Sequence, residues 1–154
     1  EIAEAARAEP AEGFLAPDFT LETLAGDQVT LSGLRGQVVL VNLWASWCGP
    51  CRAEMPAIQQ IYEQYRDRGF TVLGVNLTNQ DSRAAAQAFV DEFGLTFPIL
   101  LDTDGSVAAA YRLRSLPSSY FIDRNGVIQK VVLGGPMAEA LVQTQVEQLL
   151  GLTP

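Results

Sequence analysis

Cys48 and Cys51 are the only cysteines in this 154-residue chain, and two residues separate them in Trp47-Cys48-Gly49-Pro50-Cys51. Sulfurs so placed can serve each other, a partner protein or a small thiol. The chain has no histidine, so mechanisms that need an imidazole base are excluded, and so are most nitrogen-and-sulfur metal sites. A zinc site takes about four ligands, and two sulfurs fall short unless a second chain contributes. A structural staple would add little, because so short a loop hardly constrains the unfolded chain. A pair of inert buried thiols is the blandest reading. Thiol–disulfide exchange is the chemistry that CxxC spacing within a βαβ pattern favours.

The surrounding residues supply that pattern. The runs Val38 to Trp44 and Phe70 to Leu77 lack polar alternation and are rich in Val, Leu and aromatics, as strands buried on both faces of a parallel sheet are. Between them Met55, Ile58, Ile61, Tyr62 and Tyr65 recur at helical spacing, and Gly69 closes the segment. Cys48 therefore falls where strand gives way to helix. Unsatisfied N–H groups and the helix dipole there favour a thiolate, lowering a thiol pKa from ~8.5 towards ~7 in such motifs. Cys48 is the expected attacking thiolate, and Cys51, one turn further in, the expected resolving thiol. Pro50 is tolerated in a first turn, whereas Pro56 predicts a kink.

Further along, the pattern predicts a helix opening at Asp81 or Ser82 and stopping at Gly94, a strand over Phe97 to Leu101, and a short helix over Gly105 to Tyr111. A hairpin follows from Ser119 to Asp123 and Val127 to Leu133 across Asn125-Gly126. A last helix, with Pro136 in its first turn, ends at Gly151. Upstream, Asp18 to Leu24 and Gln28 to Leu31 alternate like a small hairpin. The fold class is α/β, one domain over residues 14–154 with a mixed sheet. Residues 1–13 are expected as a flexible stub or tether left by removal of an upstream segment, with an ordinary frayed terminus as the alternative.

Hydrophobic residues make up 48% and charged residues 18%, a globular balance. The net charge of -8 repels phosphate backbones and anionic lipid, so nucleic acid is not an expected partner. The longest apolar stretch, Val38 to Trp47, is interrupted by Asn42 and Ser46 and is too short to span a membrane.

Trp44 to Arg52 resembles the active-site segment of the thioredoxin superfamily, including its Gly-Pro dipeptide. The resemblance continues through Glu54-Met55-Pro56, Leu116-Pro117 and Phe121-Ile122-Asp123. Ala16-Pro17-Asp18-Phe19 and the extra helix and strand between about Gln80 and Leu101 are similar to the TlpA and ResA group, AhpC/TSA-related extracytoplasmic thiol–disulfide oxidoreductases often tethered to a membrane. This resemblance implies a thioredoxin-like fold, a central mixed β-sheet flanked by helices, with an N-terminal β-hairpin and an inserted helix–strand unit. It implies that Cys48 attacks, that Cys51 resolves and that Pro117 is a cis-proline facing them. Leu116 would offer its backbone to an extended substrate segment, with Trp47, Gly49 and Pro50 completing the substrate surface. No cofactor and no metal are implied.

The implied function is reduction of protein disulfides, with apocytochrome c among the suggested substrates and a membrane thiol–disulfide carrier as electron donor. The implied location is the periplasm or the outer face of the cytoplasmic membrane, with a membrane anchor outside this sequence. Two departures matter. Plain thioredoxin has a buried carboxylate six residues before its first cysteine, where this chain has Asn42, and ResA-like members often carry a glutamate after the second central strand, where the counterpart here is Asn79; neither amide can take a proton. Glu54 or a water is the candidate acceptor for the Cys51 proton, a solvated helix position being the blander role for Glu54. Arg112 and Arg114 would bring positive charge near the thiolate, or stand as solvated charges. Trp44 is expected in the core. Two other functions compete. A peroxiredoxin-like peroxidase would place threonine where Ala45 stands, and a copper metallochaperone would add a histidine that this chain lacks.

Overall fold

Seven successive residues with no exposed side chain, Val38–Trp44, need cover on both faces, and as β3 they form the middle of the sheet. The structure, a computed structural model, describes residues 7–152. On one side β3 pairs in parallel with β4 (Phe70–Asn76), Val38 opposite Phe70 and Trp44 opposite Asn76, and β4 pairs in parallel with β5 (Ile99–Leu101). On the other side β3 pairs antiparallel with β6 (Ser118–Ile122), and β6 with β7 (Ile128–Leu133). The sheet order is β5-β4-β3-β6-β7, and β1 (Thr20–Glu22) and β2 (Gln28–Thr30) form a separate antiparallel hairpin. The helices are α1 (Gly49–Tyr65), α2 (Arg83–Phe93), α3 (Ser106–Ala110) and α4 (Glu139–Leu150). This is the mixed sheet flanked by helices, with a hairpin and an inserted α2–β5 unit, that the sequence implied.

The two-residue period of β3 divides its side chains between two cores. Val38, Leu40 and Trp44 pack with Met55, Ile58 and Ile61 of α1, Phe89 of α2 and Val142 and Val146 of α4. Val39, Val41 and Leu43 pack with Leu73, Tyr111, Tyr120 and Leu31 on the opposite face. Each buried aliphatic side chain contributes about 1.5–3 kcal/mol of transfer free energy. Trp44 lies in the core as expected, its ring 4.4 Å from that of Phe89.

Pro56 stands inside α1, which continues to Tyr65. One boundary differs from the sequence pattern. The last helix opens at Glu139, not at Pro136. The Met137 N–H is committed to the Glu54 side chain, and extended Ala138 (ψ 147°) caps the helix, so Pro136 sits in the preceding loop after a cis peptide.

Both outer strands are bonded to chain outside the sheet. Leu24 N donates to Ile99 O of β5 at 3.0 Å. Beside β7, Gly13 N donates to Ile128 O at 2.8 Å, and Val131 N donates to the Glu12 carboxylate at 3.0 Å. Arg7–Gly13, the described part of the segment expected as a stub, is thus hydrogen-bonded to the domain, while residues 1–6 lie outside the described residues.

α3 is only five residues long and is held from below by Asp102, which is fully buried. Its two oxygens accept from Val107 N at 3.0 Å and Ala108 N at 2.9 Å. Asp102→Ala leaves one buried and one part-buried donor without an acceptor, so it should lower stability by about 3 kcal/mol. Urea unfolding of the oxidised protein, at unchanged m-value, checks this.

Candidate active site

β3 stops at Trp44, three residues turn the chain, and Cys48 becomes the N-cap of α1, with φ -87° and ψ 113°. Its Sγ accepts from Cys51 N at 3.2 Å, so the sulfur lies at the helix N-terminus as the spacing requires. Cys48 and Cys51 form a disulfide, with Cα atoms 5.3 Å apart. The two are not equivalent. Cys51 is 0% exposed, whereas Cys48, at 5%, lies on the wall of an open groove of about 480 Å³. Trp47, Gly49, Pro50 and Leu116 line the same groove, so it unites residues from two segments that the sequence singled out. Pro117 is buried next to Leu116, and the peptide between them is cis.

The turn before Cys48 is fixed by a residue that sequence reasoning did not place in the site. Asp81 accepts from Ser46 N and from Ser46 Oγ, both at 2.7 Å, and from Asn76 Nδ2 at 3.0 Å. Burial would raise its pKa, but these donors outweigh it and hold the carboxyl below its ordinary value. The local pattern marked Asp81 only as one of two helix caps, and Ser82 fills that role by accepting from Ala85 N. Trp47, 59% exposed, is steadied by a 2.9 Å bond from its indole N–H to Gln80 O.

Behind the disulfide lies a buried polar group. Glu54 is 1% exposed, which overturns the solvated role. One helical turn beyond Cys51, it shares that residue's helix face, with Cβ atoms on the order of 5–6 Å apart. Oε2 accepts from Asn42 Nδ2 at 2.8 Å and Oε1 from Met137 N at 3.0 Å. Asn42 Nδ2 also donates to Ser119 Oγ at 3.0 Å. Burial raises the Glu54 pKa, and the bonds from Met137 and Asn42 offset only part of that rise. Gly135 closes the back of this group, for a Cβ there would stand 2.8 Å from Glu54 Oε1 and 2.9 Å from Pro117 Cγ.

Arg114 lines the groove beside Cys48 and shares with Arg112 the lining of a smaller pocket against Tyr120, while Arg112 lies 3.6 Å from the Glu9 carboxylate. Among the described residues no group of three or more acidic or cysteine side chains could hold a metal ion, and no helix is long and apolar enough to cross a membrane.

Residues 13–131 match the AhpC/TSA family. The chain is 42% identical over 142 residues to the thioredoxin-like protein YneN of Bacillus subtilis, spanning 92% of this chain and 79% of that one. It is 39% identical over 124 residues to the thiol-disulfide oxidoreductase ResA of Geobacillus kaustophilus, spanning 80% and 70%. A crystal structure of a thiol:disulfide interchange protein of the thioredoxin family from Chlorobium tepidum matches with a TM-score of 0.81 at 28% identity, covering 95% of this chain and 100% of that one.

Glu54 ionises near 4.5 in the unfolded chain and at higher pH in the fold. Between those values the folded protein holds the extra proton, so stability is fully present below 4.5 and falls as pH rises through the folded value. Glu54→Gln should remove that decline, seen as a flatter stability profile from pH 4 to 8 in urea unfolding of the oxidised protein. Gly135→Ala should lower stability by about 1–3 kcal/mol, because the new methyl overlaps two atoms that have little room to retreat. Thermal unfolding of the oxidised variant reads that loss.

Proposed function

This chain belongs to the AhpC/TSA family and is a thiol-disulfide oxidoreductase of thioredoxin-like fold, and we propose that it reduces protein disulfides through Cys48 and Cys51. The observation that carries this reading is the asymmetry of the pair: one sulfur at a helix N-terminus beside an open groove, the other buried behind it.

In the reduced protein the Cys48 thiolate attacks one sulfur of the substrate disulfide. The substrate S–S bond breaks, its other sulfur leaves as a thiolate and takes a proton, and Cys48 is joined to the substrate. Cys51 then loses its proton and attacks the Cys48 sulfur, which releases the second substrate sulfur and closes the Cys48–Cys51 disulfide. Two electrons and two protons pass to the substrate. Glu54 is our proposed acceptor for the Cys51 proton. It lies on the correct helix face, and its raised pKa brings it nearer to that of a thiol, which lessens the mismatch in proton transfer. Leu116 presents backbone to an extended substrate segment, and Trp47, Gly49 and Pro50 form the surrounding surface. We assign Pro117, joined to Leu116 by a cis peptide, to the same substrate surface.

The finer assignment rests on the resemblance to the TlpA and ResA group and on the ResA relatives. We place the protein outside the cytoplasm, tethered to the membrane and recharged by a membrane thiol–disulfide carrier. Its substrates are disulfides of envelope proteins, with apocytochrome c awaiting haem as one candidate.

Cys51→Ser should accumulate a mixed disulfide at Cys48 that a strong thiol releases, and Cys48→Ser should abolish turnover of a protein disulfide. Mass spectrometry after non-reducing electrophoresis identifies the captured protein. The Gly-Pro dipeptide favours a reduction potential near the ~-270 mV of thioredoxin over the ~-120 mV of DsbA. Equilibration with glutathione buffers measures it, and a value above the buffer's own potential would make the protein an oxidant.

A further inference from the structure

The groove beside Cys48 carries a single charge. Of the residues that line it only Arg114 is charged, and none is acidic. Arg114 is exposed and forms no ion pair among the described residues, whereas Arg112, two positions earlier, faces Glu9. Leu77, Leu113, Pro50 and Leu116 make most of the remaining wall apolar. An arginine on such a wall keeps a charge that no carboxylate among the described residues pairs with, and a guanidinium binds carboxylates in a planar, two-point geometry. This stands against the charge of the whole chain. At -8 the molecule repels acidic partners at long range, so any preference for acids at this site has to be local.

We propose that Arg114 is a specificity-determining residue that accepts an Asp or Glu side chain of the substrate segment lying in the groove. The inference rests on the reductase reading, in which Cys48 attacks a disulfide seated in the groove and Leu116 pairs with the substrate backbone. Arg114 precedes Leu116 by two residues, and an extended chain advances ~3.3 Å per residue. The acidic residue therefore lies within about three positions of the attacked cysteine. Envelope disulfides flanked by acids are the preferred substrates of this protein, and those flanked by lysine or arginine are the poor ones.

The test uses the full reduced chain and three disulfide-bridged peptides of one sequence that differ only beside the attacked cysteine, carrying Glu, Gln or Lys there. Second-order reduction rates are read by tryptophan fluorescence in stopped flow. Wild type should rank Glu above Gln above Lys, with steps of about threefold, the range of a solvent-exposed ion pair. The steps should shrink in 0.5 M salt. Arg114→Lys should keep the order, Arg114→Gln should level it and Arg114→Glu should invert it. All peptides meet the same Cys48, so the ratio between them cancels any effect of Arg114 on the thiolate. Equal ratios in wild type and Arg114→Gln, with all peptides still reduced, would overturn the specificity role and leave the reductase reading standing. Peptides that dithiothreitol reduces and wild type does not would overturn both.

Discussion

A carboxylate sealed behind a reactive disulfide must receive its hydrogen bonds from protein, since burial of an unpaired charge costs several kcal/mol or more. The donors to Glu54 come from Asn42 on β3 and from the Met137 backbone before α4, while Gly135 and Pro117 confine it from the side. The central strand, the catalytic helix and the loop after β7 therefore have to be assembled before this group exists. Assembly of the site and packing of the core are one event, because α1 presents Glu54 and Cys51 on the same side from which it buries Met55 and Ile58. Asn42 takes part as a donor, which makes it a partner for the carboxylate that Glu54 brings from the helix.

Much of this was legible in the chain. Unbroken apolar runs located β3 and β4, Gly69, Gly94 and Gly151 marked where helices end, and the CxxC pair marked the strand-to-helix junction. These signals are local, each contained within a few residues. Glu54 was not legible to the same degree, because its neighbours in sequence are Ala53 and Met55, whereas its donors stand 12 and 83 positions away. The tie between Ser46 and Asp81 spans 35 positions and was hidden in the same way. Pro136 carried a valid first-turn signal, but a tertiary bond had already claimed the next N–H. Arg112 and Arg114 look alike in sequence, and surroundings distant in the chain distinguish them, Glu9 beside Arg112 and the Cys48 groove beside Arg114.

The helix and strand inserted between β4 and β6 do more than enlarge the sheet. The turn leading into α2 supplies Asp81 and the Gln80 carbonyl, which hold the backbone of Ser46 and the indole of Trp47 just ahead of the first cysteine. α2 supplies Phe89, against which Trp44 rests at the end of β3. Arg52, next to Cys51, lies over the ring of Phe93, 5.1 Å from its centroid, and pairs with Glu92. The insert thus braces the first turn of α1 from the side opposite the Glu54 group.

The bonds that Leu24 makes to β5, and that Gly13 and Glu12 make to β7, bear on recognition. A protein that captures other chains by backbone pairing gains nothing from sheet margins that pair without selectivity, since such margins invite copies of itself and act as decoys. Here the flanks are occupied by the protein's own chain. On the mechanism we propose, a visiting strand is left to find its hydrogen bonds beside the sulfur, where docking and electron transfer coincide.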